Sequence, residues 1–269
     1  MLRPRIIPCL LVSEGGLVKT VQFAKPTYVG DPINAVKIFN EKEADELIVV
    51  DIDATSKGVE PNLELISRLA VECRMPLCYG GGVKSVATAR RIVGLGVEKV
   101  ALSAAAVDSP KVISEIAEEI GSQSVVVVLD VRKRSDDADY DVWTHNARRR
   151  TGKRLSRFLA EVQARGAGEI VVNSIDDDGN MKGYDLALAR LVRDSTRLPM
   201  TMLGGAGSLG DIGKLIETCG ILGAAAGSLF VFKGIYRAVL INYPSGRQKE
   251  EIFARALDGG KGLPLAPHP

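Results

Sequence analysis

Eight short apolar runs, each followed by a stretch of helical spacing, constrain this chain more than any other feature. The runs cover residues 6–12, 47–51, 76–79, 99–102, 124–129, 169–172, 199–203 and 221–226. They are rich in Val and Ile and apolar on both faces, as a parallel strand buried between two layers has to be. Between them, residues 33–43, 62–72, 85–94, 109–120, 152–165, 185–194 and 210–218 repeat apolar residues at helical spacing, which predicts helices with one buried stripe. Asp31-Pro32 and Ser109-Pro110 read as helix starts, a capping side chain followed by proline in the first turn. Strict alternation without a break in composition predicts one α/β domain, a single (β/α)8 barrel over residues 1–258. A doubly wound open sheet is the competing architecture. Residues 259–269, with several Gly and Pro, read as a flexible tail.

The two halves of the chain echo each other. Tyr79-Gly80-Gly81-Gly82-Val83 is answered by Leu203-Gly204-Gly205-Ala206-Gly207, Asp51-Ile52-Asp53 by Asp176-Asp177-Asp178, and Leu102-Ser103-Ala104-Ala105-Ala106 by Ala225-Ala226-Gly227-Ser228-Leu229. Each offset is close to half the chain, so the barrel reads as a doubled half-barrel.

Composition excludes several classes. A net charge of +2 with scattered basic residues leaves no nucleic-acid footprint. The densest basic run, Arg148-Arg149-Arg150, reads either as a solvated loop or as a contact for an anion. Cys9, Cys73, Cys78 and Cys219 match no metal or redox spacing. Cys9 and Cys78 sit inside apolar runs and read as inert buried thiols. The apolar part of MLRPRIIPCLLV is short for a signal peptide, and no run is long enough to span a membrane. The expectation is a reduced, cytoplasmic, enzyme-like domain with no cofactor, no metal and no membrane contact.

In a barrel, chemistry collects where strands end. Glycines there let backbone N–H groups approach an anion, and a following helix start adds its positive end. The candidate substrate-phosphate residues are Gly81, Gly82, Ser103, Asp178, Gly204, Gly205, Gly227 and Ser228. Tight turns need glycine in any case, but two related clusters suggest a substrate with a phosphate at each end. Asp51, Asp130 and either Asp176 or Asp178 are the carboxylates at strand ends. Asp130 follows the apolar 125–129 run, so burial is expected to raise its pKa and neighbouring lysines to lower it, suiting a general acid or base. Residues 13–30 read as a long first loop, a lid from which Lys19 either reaches a phosphate or sits in solvent.

Taken together, Arg5-Ile6-Ile7-Pro8-Cys9-Leu10, Gly30-Asp31-Pro32, Gly80-Gly81-Gly82, Gly166-Ala167-Gly168-Glu169-Ile170, Gly183-Tyr184-Asp185 and Gly204-Gly205-Ala206-Gly207 resemble the cyclase subunit of imidazole glycerol phosphate synthase, the HisF family, over about residues 1 to 240. The resemblance implies a barrel docked by its N-terminal face to a glutaminase. Ammonia from that partner would cross the barrel to a bis-phosphorylated substrate at the other end. It also implies a charged gate on the barrel floor, with Arg5, Glu46, Lys99 and Glu169 at the matching positions. Asp130 matches one of the family's two catalytic aspartates, and Lys19 is the further catalytic candidate.

The mouth departs from the family pattern. Leu11 stands where the first catalytic aspartate belongs, Ala104 lacks a polar side chain, Leu203 replaces a serine and Asn173 a threonine, and Thr144-His145-Asn146-Ala147-Arg148 lacks the family's glycines. Three functions follow from the resemblance. One is a histidine-pathway cyclase working without that aspartate. The second, favoured by these departures and by the segment Ala238-Val239-Leu240-Ile241-Asn242-Tyr243-Pro244, is a divergent paralogue passing ammonia to a separate amidotransferase of surface-polysaccharide sugars. The third is a scaffold that only docks the glutaminase.

Overall fold

The computed structural model describes residues 3–136, 138–234 and 236–259. Eight strands carry the architecture: β1 (Arg5–Ser13), β2 (Leu47–Asp51), β3 (Leu77–Gly80), β4 (Lys99–Leu102), β5 (Val125–Lys133), β6 (Glu169–Ser174), β7 (Met200–Leu203) and β8 (Gly223–Ala226). Each pairs in parallel with its sequence neighbour, and β8 pairs back onto β1 with Ile7 opposite Ala225. The sheet closes into the expected (β/α)8 barrel, and the open-sheet alternative falls away.

The helices between strands are α1 (Pro32–Glu41), α2 (Leu63–Glu72), α3 (Val86–Gly94), α4 (Lys111–Ile120), α5 (Leu155–Ala164), α6 (Leu186–Ser195) and α7 (Leu209–Cys219), with α8 (Gly246–Gly259) after β8. Side chains at their starts accept from exposed backbone N–H groups, as helix N-termini require: Asp31 from Asn34 at 2.8 Å, Asn62 from Leu65 at 3.0 Å and Asp185 from Leu188 at 2.9 Å. Ser109-Pro110 works differently, because Pro110 holds the cap position of α4 and no side chain caps it. The part of the tail beyond Gly259 lies outside the described residues.

Strand alternation divides the apolar residues between two cores. Ile6, Leu10, Val49, Tyr79, Val127 and Val172 face the helices, whereas Ile7, Cys9, Ile48, Cys78, Val126, Val171 and Ala225 fill the barrel. The two-faced burial is why these strands read as continuous apolar runs.

Two segments expected as loops or helix are hairpins. Residues 13–30 contain antiparallel strands at Gly16–Val21 and Ala24–Gly30, the first paired with β1. Likewise β5 runs on to Lys133 and pairs with Tyr140–Thr144, which pairs with Arg149–Arg154. The helix expected from residue 152 therefore starts at Leu155. The glycine clusters of the half-barrel repeat also shift by one residue from their sequence echo. Val50 pairs with Gly80 and Asn173 with Leu203, so Leu203 corresponds to Gly80 and Thr201 to Cys78.

The chain end is tied to the barrel floor. The Tyr243 hydroxyl donates to the Ile6 carbonyl at 2.7 Å, and Lys249 Nζ reaches Asp45 at 2.8 Å.

Candidate functional site

A cavity of about 500 Å³ opens where the strands end. It brings together both catalytic candidates, Asp130 and Lys19, and every candidate phosphate residue: Gly81, Gly82, Ser103, Asp178, Gly204, Gly205, Gly227 and Ser228. Leu11 lines it too, with Asp51, whereas Asp176 does not. Asp176 instead pairs with Arg132 at 3.1 Å and accepts from the Lys133 N–H, so Asp178 is the strand-six carboxylate that reaches the cavity.

Asp130 points inward from β5, and its neighbour in register on β6 is Asn173. Asn173 Nδ2 donates to Asp130 Oδ1 at 3.1 Å. Burial pushes the Asp130 carboxyl up to about 7, the Asn173 hydrogen bond opposes the shift, and the charge of Asp178 adds to it. The expected lysine influence is absent from these causes. Lys19 is turned elsewhere, its Nζ donating to the Cys9 carbonyl at 2.6 Å. It is 6% exposed, so the solvated reading is wrong. Burial pulls its pKa down, with Cys9 and Asp178 partly restoring it.

Burial also raises the Asp51 and Asp178 carboxyls that share the cavity with Asp130, but the strand-one position beside them holds Leu11. Leu11, Val50, Val128 and Leu203 form an apolar collar packed on the barrel's inner core. A leucine neither donates nor accepts a proton, so Leu11 cannot complete a pair with Asp130.

The glycines at the mouth answer several demands. Gly81 has φ +117° and a Cβ there would lie 2.5 Å from the Asp51 carbonyl; at Gly205, φ is +99° and the Gly183 carbonyl would be 2.0 Å away. These two are required by backbone packing whether or not an anion binds. Gly227 is different: a Cβ there would meet Lys19 Nζ at 2.3 Å. Asp178 Oδ2 accepts from Thr20 Oγ1 at 2.9 Å and from the Phe23 N–H at 3.2 Å, which fastens the first hairpin to the mouth.

The second hairpin roofs the other side. Its tip runs through His145, Asn146 and Ala147, all with positive φ, and Asn146 Nδ2 donates across the mouth to the Ile52 carbonyl at 2.8 Å. Of the arginine run, Arg149 and Arg150 pair with Asp108 and Asp141, while Arg148 lines the cavity.

At the opposite end of the barrel, Arg5, Glu46, Lys99 and Glu169 form a closed ring of alternating charge. Arg5 bonds Glu46 and, at 2.7 Å, Glu169; Lys99 Nζ lies 2.8 Å from each glutamate. Burial works against charge on Arg5 and Lys99, and the two carboxylates overcome it, raising both pKa values. Burial likewise opposes charge on Glu169, but Arg5 and Lys99 hold it at about 2. These shifts favour the charged forms of Arg5, Lys99 and Glu169, and the ring separates the floor from the apolar barrel interior.

Residues 5–236 match a family described as "Histidine biosynthesis protein". Three relatives share the name "Putative imidazole glycerol phosphate synthase subunit". HisF of Leptospira borgpetersenii is 56% identical over 253 residues, covering 94% of this chain and 100% of the relative. The hisF3 protein of Vibrio vulnificus is 55% identical over 94% of this chain and 97% of its own length. The hisF2 protein of Pseudomonas aeruginosa is 49% identical over 91% of this chain and 97% of its own. The chain belongs to this family. It is a divergent HisF-like paralogue of the imidazole glycerol phosphate synthase cyclase subunit.

Two residues of this HisF-like chain carry more than their sequence context signals. Asn173 stood out only as a departure, yet among the described residues it is the sole hydrogen-bond partner of the Asp130 carboxylate. Thr201, an inconspicuous residue in an apolar run, donates from Oγ1 to Glu169 Oε1 at 2.7 Å. Sequence separations of 43 and 32 residues hide both pairings. No described helix is long and apolar enough to cross a membrane.

Proposed function

We propose that this HisF-like barrel docks a glutaminase at its N-terminal face, conducts the released ammonia through its core, and passes it to a separate amidotransferase of surface-polysaccharide sugars. One contrast carries the reading: a complete Arg5–Glu46–Lys99–Glu169 ring on the floor beneath a mouth whose second acid is Leu11. An alternating ring of buried charges satisfies itself at a cost in desolvation. Retaining it serves a gate better than it serves packing. The barrel interior above it is filled by Ile7, Ile48, Val126, Val171 and Ala225 with the thiols of Cys9 and Cys78, a mainly apolar packing that suits neutral ammonia and disfavours ammonium.

A second reading, the histidine-pathway cyclase, has Asp130 in its favour: a carboxyl near 7 in a cavity between two glycine cradles is a competent general acid or base. Giving the purified protein ammonium and the bis-phosphorylated ribosyl-aminoimidazole precursor separates the two. The proposal expects no useful turnover, with Leu11→Asp restoring some. Efficient turnover by the unaltered chain, abolished in Asp130→Asn, would establish the cyclase instead.

A further inference from the structure

We infer that Thr201 is a positioning residue that pins Glu169 to the barrel wall, so that the floor ring opens on the Glu46 side. The inference rests on the proposed ammonia route and assigns its moving part.

The ring is symmetric in charge but not in its attachment. Glu169 Oε1 accepts from both Arg5 Nη2 and Thr201 Oγ1, each at 2.7 Å, while Oε2 accepts from Lys99 at 2.8 Å. Among the described residues, Glu46 is bonded only to Arg5 and Lys99, the two cations of the ring. When those cations let go, Glu169 keeps a partner and Glu46 has none.

The doubled half-barrel locates the origin of the difference. Glu46 just before β2, with Cys78 on β3 and Lys99 on β4, corresponds by register to Glu169, Thr201 and Gly223 on β6, β7 and β8: Ile48 pairs with Cys78 as Val171 pairs with Thr201, and Cys78 pairs with Lys99 as Thr201 pairs with Gly223. In the first half the wall offers a thiol that makes no hydrogen bond to Glu46. In the second it offers a hydroxyl, a far stronger donor. Gly223 makes room for it, since a Cβ there would lie 2.0 Å from Thr201 Oγ1 and 2.9 Å from Ile7 Cδ1. Thr201 is 0% exposed and β-branched, so its hydroxyl has no water to turn to and little rotamer freedom. One half of the ring is therefore a fixed post, and the other is free to swing.

Side-chain NMR relaxation on protein carrying 13C-labelled glutamate reads this directly. In the unaltered chain Glu169 should be clearly more ordered than Glu46, and Thr201→Val should bring Glu169 down to the level of Glu46, with Thr201→Ser restoring it. In a complex with glutaminase and amidotransferase, Thr201→Val should lower glutamine-driven product formation about tenfold, as loss of a hydrogen bond to a charged group permits, and leave the rate with added ammonium unchanged. Equal order of the two glutamates in the unaltered chain overturns the inference, even if Thr201→Val does not fold. If the order difference appears but no variant or parent shows glutamine-driven transfer, the pin stands and the ammonia route fails.

Discussion

Lys19 Nζ lies where a side chain at Gly227 would have to go: the missing Cβ would be 2.3 Å from it, and 3.2 Å from the Cys9 carbonyl, the residue to which Lys19 donates. A lysine of the first hairpin, a strand-one carbonyl and the glycine after strand eight thus form one contact at the mouth. Gly227→Ala should expel Lys19 Nζ from Cys9 and cost about 1–2 kcal/mol in stability by overpacking. Competitive acetylation followed by peptide mass spectrometry should find Lys19 protected in the parent and markedly more reactive in the variant. Unchanged protection would show that the glycine is not needed for the lysine's placement.

Asp130 makes stability depend on pH in a defined direction. Its folded pKa, about 7, lies above the ordinary value of 3.8, so between those values the native state binds the extra proton and stability falls as pH rises. The slope is at most about 1.4 kcal/mol per pH unit. Asp130→Asn removes this term. Thermal melts should show the variant gaining on the parent from pH 4 to pH 8, whereas a constant difference would place the carboxyl at an ordinary pKa.

Glu169 acts with the opposite sign. Held at about 2 against an ordinary 4.5, it contributes stability that is present above 4.5 and lost as pH falls toward 2. Glu169→Gln leaves Arg5 and Lys99 each short of a carboxylate in a buried ring and should cost roughly 3 kcal/mol at neutral pH. Chemical denaturation at pH 7 measures it, and a cost within experimental error would mean that the ring relaxes without strain.

The second hairpin tip offers a gain. His145, Asn146 and Ala147 follow one another at φ of 56°, 55° and 59°, a conformation that a side chain disfavours by about 1 kcal/mol. Ala147→Gly should raise the melting temperature by roughly 2–4 °C for a chain of this size. A decrease would show that the alanine methyl or a stiffer unfolded chain outweighs the relief of strain.

The barrel was legible because its strands are buried on both faces and its helices on one, so that 6–12, 47–51 and 169–172 differ in pattern from 62–72 and 185–194. The hairpins were not. Ala24–Gly30 is exposed at its first five residues and Arg149–Arg154 is mostly charged, so neither offers an apolar run to read. The strand-end carboxylate Asp130 was recognisable by type and position, and the floor ring through the family resemblance alone. Their partners were not, because Asn173, Thr201 and Gly223 acquire meaning only from the strand beside them. Likewise Lys19 looked like a lid residue, and only folding shows that its hairpin places it against Cys9.

Passage of ammonia through the barrel is the central feature of the proposed function. The direct measurement supplies the complex of this chain with the proposed glutaminase and amidotransferase with glutamine labelled by 15N at the amide, in an excess of unlabelled ammonium, and reads the isotope in the product by mass spectrometry. A closed route through the Arg5–Glu46–Lys99–Glu169 ring predicts that the product keeps the 15N label undiluted. Product nitrogen matching the unlabelled bath would contradict it.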